Sequence, residues 1–406
     1  MADQCFVVAG GGQSGAWTIK TLRQQGYDGR LVLIGAERHP PYERPPLSKQ
    51  LLAGDVEPES AYIFPARSYE DWGVDMRLGT RAVGLDPRDR RITLSDGDTL
   101  RYDRLLLATG GTPRRLNVPG AALEGIFYLR SIEDSLAVGR QLRSGGSIFI
   151  VGGGWIGLEV AATARKLGVA VTLAEYAPLL CGRAAPPDIS CFLHELHAGH
   201  GVDIALNARI AAFEGAGRVE RVRFEDGTLH EVSAVVVGIG IEPDVVLAAQ
   251  VGLALDNGIL VNSLWQTSLP EIFAAGDVAS FVALSGRRTR LESWDNAQQQ
   301  GIAAANGMLG KAVSPDPYPW FWSDQYDRNL QLIGDSNAYD EVITLGETGD
   351  RPRMFVFLSS GLVTGAAGID AGRDVRAVKR LLQSERSVDA EMIRNAKLLL
   401  QKSAAA

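Results

Sequence analysis

The chain has 406 residues, 46% hydrophobic and 22% charged, with a formal net charge of −7. That length implies two or three domains, the acidic balance argues against a nucleic-acid partner, and no apolar run reaches the roughly 18 residues of a membrane span. The N-terminus, MADQCFVVAGGG, enters a strand with no basic flank, long apolar segment or cleavage site, so no secretory signal and a cytoplasmic location are expected. Three scattered cysteines, Cys5, Cys181 and Cys191, suit incidental thiols better than a disulfide framework or a CxxC site.

In chain order, CFVVAGGGQSG reads as an apolar strand running into glycines, followed by a helix to Gly26 and the strand RLVLIG ending at Ala36 and Glu37. This is a βαβ unit with a GxGxxG turn at Gly10, Gly12 and Gly15. In HPPYERPPLSKQ, residues 39–50, four prolines exclude a helix through most of the stretch, so a fixed extended loop ending at Lys49 is expected. RLLLATGG at 104–111 is a strand leaving into glycine. A second βαβ copy spans SIFIVGGGWIGLEVAATARKLGVAVTLAE, with glycines at Gly152, Gly154 and Gly157 and a closing acid at Glu175. AVVVGIGIEP at 234–243, which carries Gly240, and LPEIFAAGDVA at 269–279 again run from strand into glycine, as a backbone does when it passes close to a ligand. From about Trp320 the character changes. RMFVFLSSGLVTGAAGID reads as a hairpin turned at Ser359, Ser360 and Gly361, and Arg373 to Lys402 as an amphipathic helix. The expected class is α/β: two Rossmann-like domains followed by a small C-terminal α+β domain.

Each GxGxxG follows an apolar strand, opens a helix and is followed by an acid at the next strand end, the context in which this motif binds a dinucleotide. The glycines admit a pyrophosphate to the backbone, and the helix N-terminus offers oriented N–H groups and partial positive charge. Two copies imply two nucleotides. Glu175 lies where it can accept from a ribose 2′-OH and would repel a 2′-phosphate, favouring NADH over NADPH; Glu37 is the corresponding acid of the first copy, at slightly longer spacing.

With GGGQSG, RPPLSK, LLLATGG, YLRSIED, VGGGWIGLEVAATARKLG, VVGIGIEP, FAAGDVA, RLESWDNA and PWFWSDQY in this order, the chain resembles, over essentially its whole length, a family of glutathione-reductase-like flavoenzymes. These are the FAD-dependent NAD(P)H reductases that pass electrons to small [2Fe–2S] ferredoxins serving Rieske dioxygenases and bacterial cytochromes P450. The resemblance implies an FAD domain at 1–111 and 236–318, an NAD domain at 112–235, and an interface domain at 319–406. It implies FAD contacts from Ser14, Lys49, Ala82, Arg130, Asp277 and Trp294, and from Trp320 or Trp322, which taken alone read as core residues. Asp277 at a strand end could accept from ribityl hydroxyls, and a helix beginning near Ser293–Asn296 could aim its N-terminus at the flavin. Ala36 stands where the family often has Asp, leaving Glu37 or water to serve the ribose, and Trp294 is bulkier than expected. Glu159 resembles the glutamate beside the nicotinamide. A buried carboxylate there needs a partner, for which Lys49 is the candidate.

Hydride would pass from NADH to FAD and electrons singly to a [2Fe–2S] ferredoxin. The alternatives are an NADH oxidase, peroxidase or disulfide reductase of the same fold, which needs a reactive cysteine soon after the first βαβ unit where this chain has none, and an apoptosis-inducing-factor-like flavoprotein without a ferredoxin partner. HELHAGH at 194–200 lacks the HExxH spacing of a metal site, and an exposed helix end is expected instead. Arg287, Arg288 and Arg290 form a short basic run, a candidate docking patch for an acidic partner.

Overall fold

A computed structural model gives the fold, described here for residues 4–283, 286–313, 315, 318–334, 339–348, 351–383, 391 and 393. The chain divides into two compact units, 1–46 with 57–112 and 241–317, and 47–56 with 113–240 and 318–406.

The first unit is built on a five-stranded parallel sheet in the order Ile272–Ala274, Arg104–Leu107, Cys5–Ala9, Arg30–Gly35, Val74–Leu78. Its central strands read as continuous apolar runs because both faces are covered: Phe6 to Ala9 and Leu31 to Ile34 are all buried. Each of these side chains larger than alanine contributes roughly 1.5–3 kcal/mol. The Gln13–Gln24 helix leaves the first strand and lies against the Trp294–Met308 helix. Small residues allow the approach: Ser14 Oγ donates to Ala297 O at 2.7 Å and Thr18 Oγ1 to Gly301 O at 2.9 Å.

The second unit repeats the plan. Its parallel sheet runs Val202–Ala205, Ala170–Ala174, Ser147–Val151, Ala234–Val237, Ile126–Tyr128. The Trp155–Lys166 helix leaves the central strand as its counterpart does. The same unit carries a five-stranded antiparallel sheet, Trp320–Gln325, Arg328–Gly334, Leu362–Ile369, Arg351–Ser359, Glu341–Thr348, with the hairpin turned at Ser360–Gly361. The Gly372–Gln383 helix buries Val375, Val378 and Leu382 among the side chains of this sheet. The fold is thus mixed α/β, with two Rossmann-like sheets and a C-terminal antiparallel sheet domain. The expected helix from Arg373 is described as far as Gln383; of the remaining stretch to Lys402, only 391 and 393 lie within the described residues.

Two local expectations are corrected. Pro45–Ser48 form a 3₁₀ turn rather than extended chain, since proline's fixed φ is compatible with that turn, and Lys49 then caps a short helical turn at Gln50–Ala53. HELHAGH does close the Pro187–Gly199 helix with Glu195, Ala198, Gly199 and His200 exposed, but not all of it faces solvent: Leu196 and His197 turn inward, His197 fully buried. No helix among the described residues is long and apolar enough to cross a membrane.

Candidate active site

The three glycines of each turn do separate work. A Cβ on Gly10, at φ +135°, would collide with Ala108 O, and one on Gly15 would collide with Gly10 O. In the second copy Gly152, at φ +107°, faces Gly238 O, and Gly157 faces Gly152 O. The middle glycines differ: around a Cβ on Gly12 or Gly154 there is nothing within 4 Å. Each middle glycine is also the N-cap of its helix and leaves the first N–H groups without a side-chain cap. Two other helix starts are capped, with Ser131 accepting from Asp134 N in a capping box and Ser293 from Asn296 N at 3.2 Å, while Ala66–Asp71 and Pro187–Gly199 start without a side-chain cap as these two do. Two uncapped helix starts opening onto empty space behind close-packed glycines form a fitting cradle for a pyrophosphate.

The acids at the strand ends are held differently. Glu37 accepts from the Tyr42 hydroxyl and pairs with Arg44 at 3.1 Å. Burial opposes the Arg44 charge, but Tyr42, Glu37 and Asp277 outweigh it and push the guanidinium further up. Glu175 is held, among the described residues, by backbone: Oε2 accepts from Gly153 N at 2.6 Å and Oε1 from Ala177 N at 2.8 Å.

In the first unit, Asp277 follows Gly276, at φ +82°, whose N–H donates to Gln300 Oε1 at 2.8 Å. Gln300, fully buried, donates in turn to Asn296 Oδ1 at 2.9 Å, so the Trp294–Met308 helix braces the Gly276–Asp277 turn. Trp294 is the first residue of that helix, half-buried, with the Gln13 amide oxygen placed to accept from its Nε1 at 3.2 Å. The Ser14 hydroxyl is committed to Ala297 O, which leaves its backbone N–H as the group at the turn. Ala82 begins the Ala82–Asp86 strand, packed against the core. The basic run breaks up: Arg287 and Arg288 are exposed, but Arg290 has a side chain only 7% exposed, pairs with Glu292 at 2.7 Å and donates to Asp277 O at 3.0 Å. It belongs to the Asp277 turn, and the surface patch shrinks to two arginines.

In the second unit, Lys49 and Glu159 form an ion pair of 2.7 Å, with side chains 15% and 4% exposed. Glu159 also accepts from Ser48 Oγ, and from Ser323 Oγ at 2.6 Å. A buried carboxylate satisfied by one cation and two hydroxyls is a stable arrangement where a lone one would be prohibitive. Ser48, Ser323 and Gln325 carry no sequence signal beyond their position on strand or turn; only the sheet register shows that 321, 323 and 325 share one face of Trp320–Gln325. Trp320 and Trp322 lie on the other face, half-buried and stacked at 4.8 Å, while Phe321 takes the core role and meets Trp155 at 4.9 Å. Arg130 donates its N–H to Asp134 Oδ2 at 3.0 Å just before a helix start. Gly240, at φ +99°, closes the 113–240 segment beside Arg114 and Arg183. Cys181 is buried, its thiol pushed up by burial and by the nearby Glu175 and Glu159 carboxylates, so it stays protonated and unreactive.

Known proteins resemble this chain in sequence and fold. Residues 5–301 match the family model of the pyridine nucleotide-disulphide oxidoreductases and residues 320–404 that of the reductase C-terminal domain. The chain is 38% identical to the 3-phenylpropionate/cinnamic acid dioxygenase ferredoxin–NAD(+) reductase component of Photorhabdus laumondii, over 96% of this chain and 98% of that one. It is 39% identical to putidaredoxin reductase of Pseudomonas putida, over 89% and 87%. The reductase in the crystal structure of the covalent putidaredoxin reductase–putidaredoxin complex superposes with a TM-score of 0.94 at 34% identity, covering 100% of this chain and 99% of that one.

Proposed function

The chain belongs to the pyridine nucleotide-disulphide oxidoreductase family, among its ferredoxin–NAD(P)+ reductases, and on that premise we propose that it carries electrons from NADH to a [2Fe–2S] ferredoxin. It is an oxidoreductase that uses FAD and NAD(P)H. The choice of NADH, the cluster type, a cytoplasmic location and the residue assignments are this reading's own; the first unit is assigned to FAD and residues 113–240 to the nicotinamide nucleotide. Bound FAD supplies the chemistry that accepts an electron pair and releases single electrons.

The protein's own residues bind and orient. Gly10, Gly12 and Gly15 with the uncapped start of Gln13–Gln24 receive the FAD pyrophosphate, and Glu37 accepts from its ribose. Asp277, Ala82 and Trp294 are its further contacts. Gly152, Gly154, Gly157 and Gly240 receive the NADH backbone. Glu175 accepts from the NADH ribose, and its negative charge disfavours a 2′-phosphate. Glu159 accepts from the nicotinamide carboxamide N–H and so sets the ring's face and distance, the positional part of hydride transfer. Lys49 holds that carboxylate in place. With Cys181 protonated and no cysteine near Lys49, sulfur is no stopping point for electrons, and they leave for the partner directly.

The observation that carries this reading is the buried Lys49–Glu159 pair braced by Ser48 and Ser323. The test is anaerobic titration of the FAD-loaded protein with NADH and with NADPH, followed by reduction of a panel of [2Fe–2S] ferredoxins. NADH is expected to bleach the flavin at lower concentration than NADPH, and at least one ferredoxin to be reduced faster than a free dye. A panel in which none is reduced faster than the dye withdraws the reading.

A further inference from the structure

Glu159 is the end point of a hydrogen-bond chain that a nucleotide turn does not require. Ser323 has one hydroxyl proton, and it goes to Glu159 Oε1 at 2.6 Å. Its oxygen is therefore left to accept, which it does from Gln325 Nε2 at 3.0 Å. That turns Gln325 Oε1 toward His197 Nε2, 2.8 Å away. An amide oxygen only accepts, so His197 carries its proton on Nε2 and presents Nδ1 as an acceptor to the Tyr326 hydroxyl at 3.2 Å. Four donors thus point one way, Tyr326 to His197 to Gln325 to Ser323 to Glu159, and the row ends on a negative charge. His197, Ser323, Gln325 and Glu159 are all buried. Like-directed hydrogen bonds in a low-dielectric interior polarise and strengthen one another.

We propose that this chain is a positioning device for Glu159, with Gln325 and neutral His197 fixing the direction of the Ser323 hydroxyl and hence the place of the carboxylate that receives the nicotinamide. The proposal rests on the reading of Glu159 as the nicotinamide contact. The chain requires His197 to stay neutral, because an imidazolium would turn Nδ1 into a second donor against Tyr326. Burial pushes His197 down to about 4; the Gln325 bond opposes this and His200 adds to it. The groups facing the chain are accounted for. Lys49 and the protonated Cys181 thiol stand at Glu159, His200 stacks on Tyr326 at 3.6 Å, Arg165 acts on the Tyr326 phenol, and Lys166 Nζ donates to Tyr326 O at 2.8 Å.

A purely structural network would also satisfy buried polar groups, so the test needs readouts that such a role does not move. In ¹⁵N-histidine spectra of the FAD-loaded protein, His197 is expected neutral at pH 6 and protonated on Nε2; the Nδ1–H tautomer or an imidazolium overturns the proposal. Gln325→Leu leaves Ser323 and Glu159 in place, and is expected to raise the calorimetric dissociation constant for NAD⁺ about tenfold, the equivalent of one charge-assisted hydrogen bond. Ser323→Ala is expected to do the same, and the double variant to be no worse than Ser323→Ala alone, because Gln325 acts through Ser323. Additive losses, or a lower melting temperature with unchanged NAD⁺ binding, overturn it. Should Gln325→Leu not fold, Tyr326→Phe removes the half-buried outer donor and weakens NAD⁺ binding by a smaller factor in the same direction; no change in its NAD⁺ binding overturns the proposal. Glu159→Gln separates the two levels: unchanged NAD⁺ binding and NADH oxidation there overturn the reading of Glu159 and the proposal with it, whereas a loss there with additive Gln325 and Ser323 effects overturns the chain alone.

Discussion

Two residues beyond the third glycine, the Gln13–Gln24 helix carries Trp17 and the Trp155–Lys166 helix carries Glu159. Trp17 is half-buried, with Phe64 at 5.3 Å and the Lys20 ammonium 4.5 Å over its ring. Glu159 is buried and fastened by Lys49, Ser48 and Ser323. Behind the helices the contrast continues. The first is backed by another helix through neutral hydroxyl-to-carbonyl bonds, the second by a strand whose Ser323 hydroxyl donates to a carboxylate. On the proposed reading both turns receive a nucleotide, and the unlike side chains divide the work: the first holds its nucleotide, and the second also aligns a reacting one.

Adding one methyl to each turn gives the largest expected effect. In Gly15→Ala and Gly157→Ala the new Cβ meets the carbonyl of the turn's own first glycine, so the turn must shift. Strain of about 1–3 kcal/mol, concentrated at the cradle, corresponds to roughly ten- to a hundredfold in affinity. Gly15→Ala is expected to purify with little or no flavin absorbance. Gly157→Ala is expected to keep its flavin and to need far more NADH to bleach it. Flavin loss from Gly157→Ala instead would break the division of labour between the turns.

How much of this was readable beforehand follows from the range of the interactions involved. Both turns, the closing acids Glu37 and Glu175 and the C-terminal hairpin are local in sequence, and periodicity with glycine placement exposes them. The Lys49–Glu159 partnership spans 110 positions and came into view only through family likeness and the cost of burying a carboxylate. Ser323, Gln325 and His197 had no local signal: a serine and a glutamine on a strand look like surface residues until the register turns 321, 323 and 325 inward. The burial of His197 is hidden in the sequence because HELHAGH is polar by composition, whereas burial follows which residues of the Pro187–Gly199 helix share the inner face with Ile189, Leu193 and Leu196. That of Arg290 is hidden likewise, its neighbours in sequence being exposed while its own fork closes on Glu292 and Asp277 O.

Acid sharpens the contrast next. Four of the five histidines belong to the second unit, and His197, fully buried, titrates at about 4 against an ordinary 6.5. Between those values the unfolded chain binds a proton that the folded chain does not. The stability contributed by neutral His197 is therefore fully present above pH 6.5 and is lost as pH drops toward 4, by about 3 kcal/mol in all. Urea unfolding at pH 7 and pH 4.5 measures the drop, and His197→Gln is expected to remove most of it. Hydrogen exchange at pH 4.5 is expected to rise first in the Pro187–Gly199 helix. A loss beginning in the first unit would count against the contrast.

Lys49→Met tests the ion pair itself. Removing one partner of a buried pair typically costs about 3–5 kcal/mol, reduced here to about 2 kcal/mol because Ser48 and Ser323 still donate and Lys49 is partly exposed. Flavin reduction by NADH is expected to slow at least about tenfold, with flavin content retained. An unchanged reduction rate would remove Lys49 and its partner from the reaction, leaving the second turn as passive as the first.

The smallest expected effect separates the two strand-end acids. Among the described residues Glu175 accepts from the backbone N–H groups of Gly153 and Ala177, and on the proposed reading its charge faces the coenzyme ribose. Glu175→Gln keeps an acceptor oxygen but loses the charge that disfavours a 2′-phosphate; NADH affinity is expected to fall about tenfold while NADPH affinity holds or rises, narrowing the preference. Glu37 stands differently, its charge shared with Arg44 and its oxygen with Tyr42. Glu37→Gln therefore removes a charge already countered within the protein, and flavin retention is expected to change by less than about threefold. Flavin loss in Glu37→Gln with unaltered coenzyme preference in Glu175→Gln would invert the comparison, making the first acid the discriminating one and the second a structural tie for the Gly153 turn.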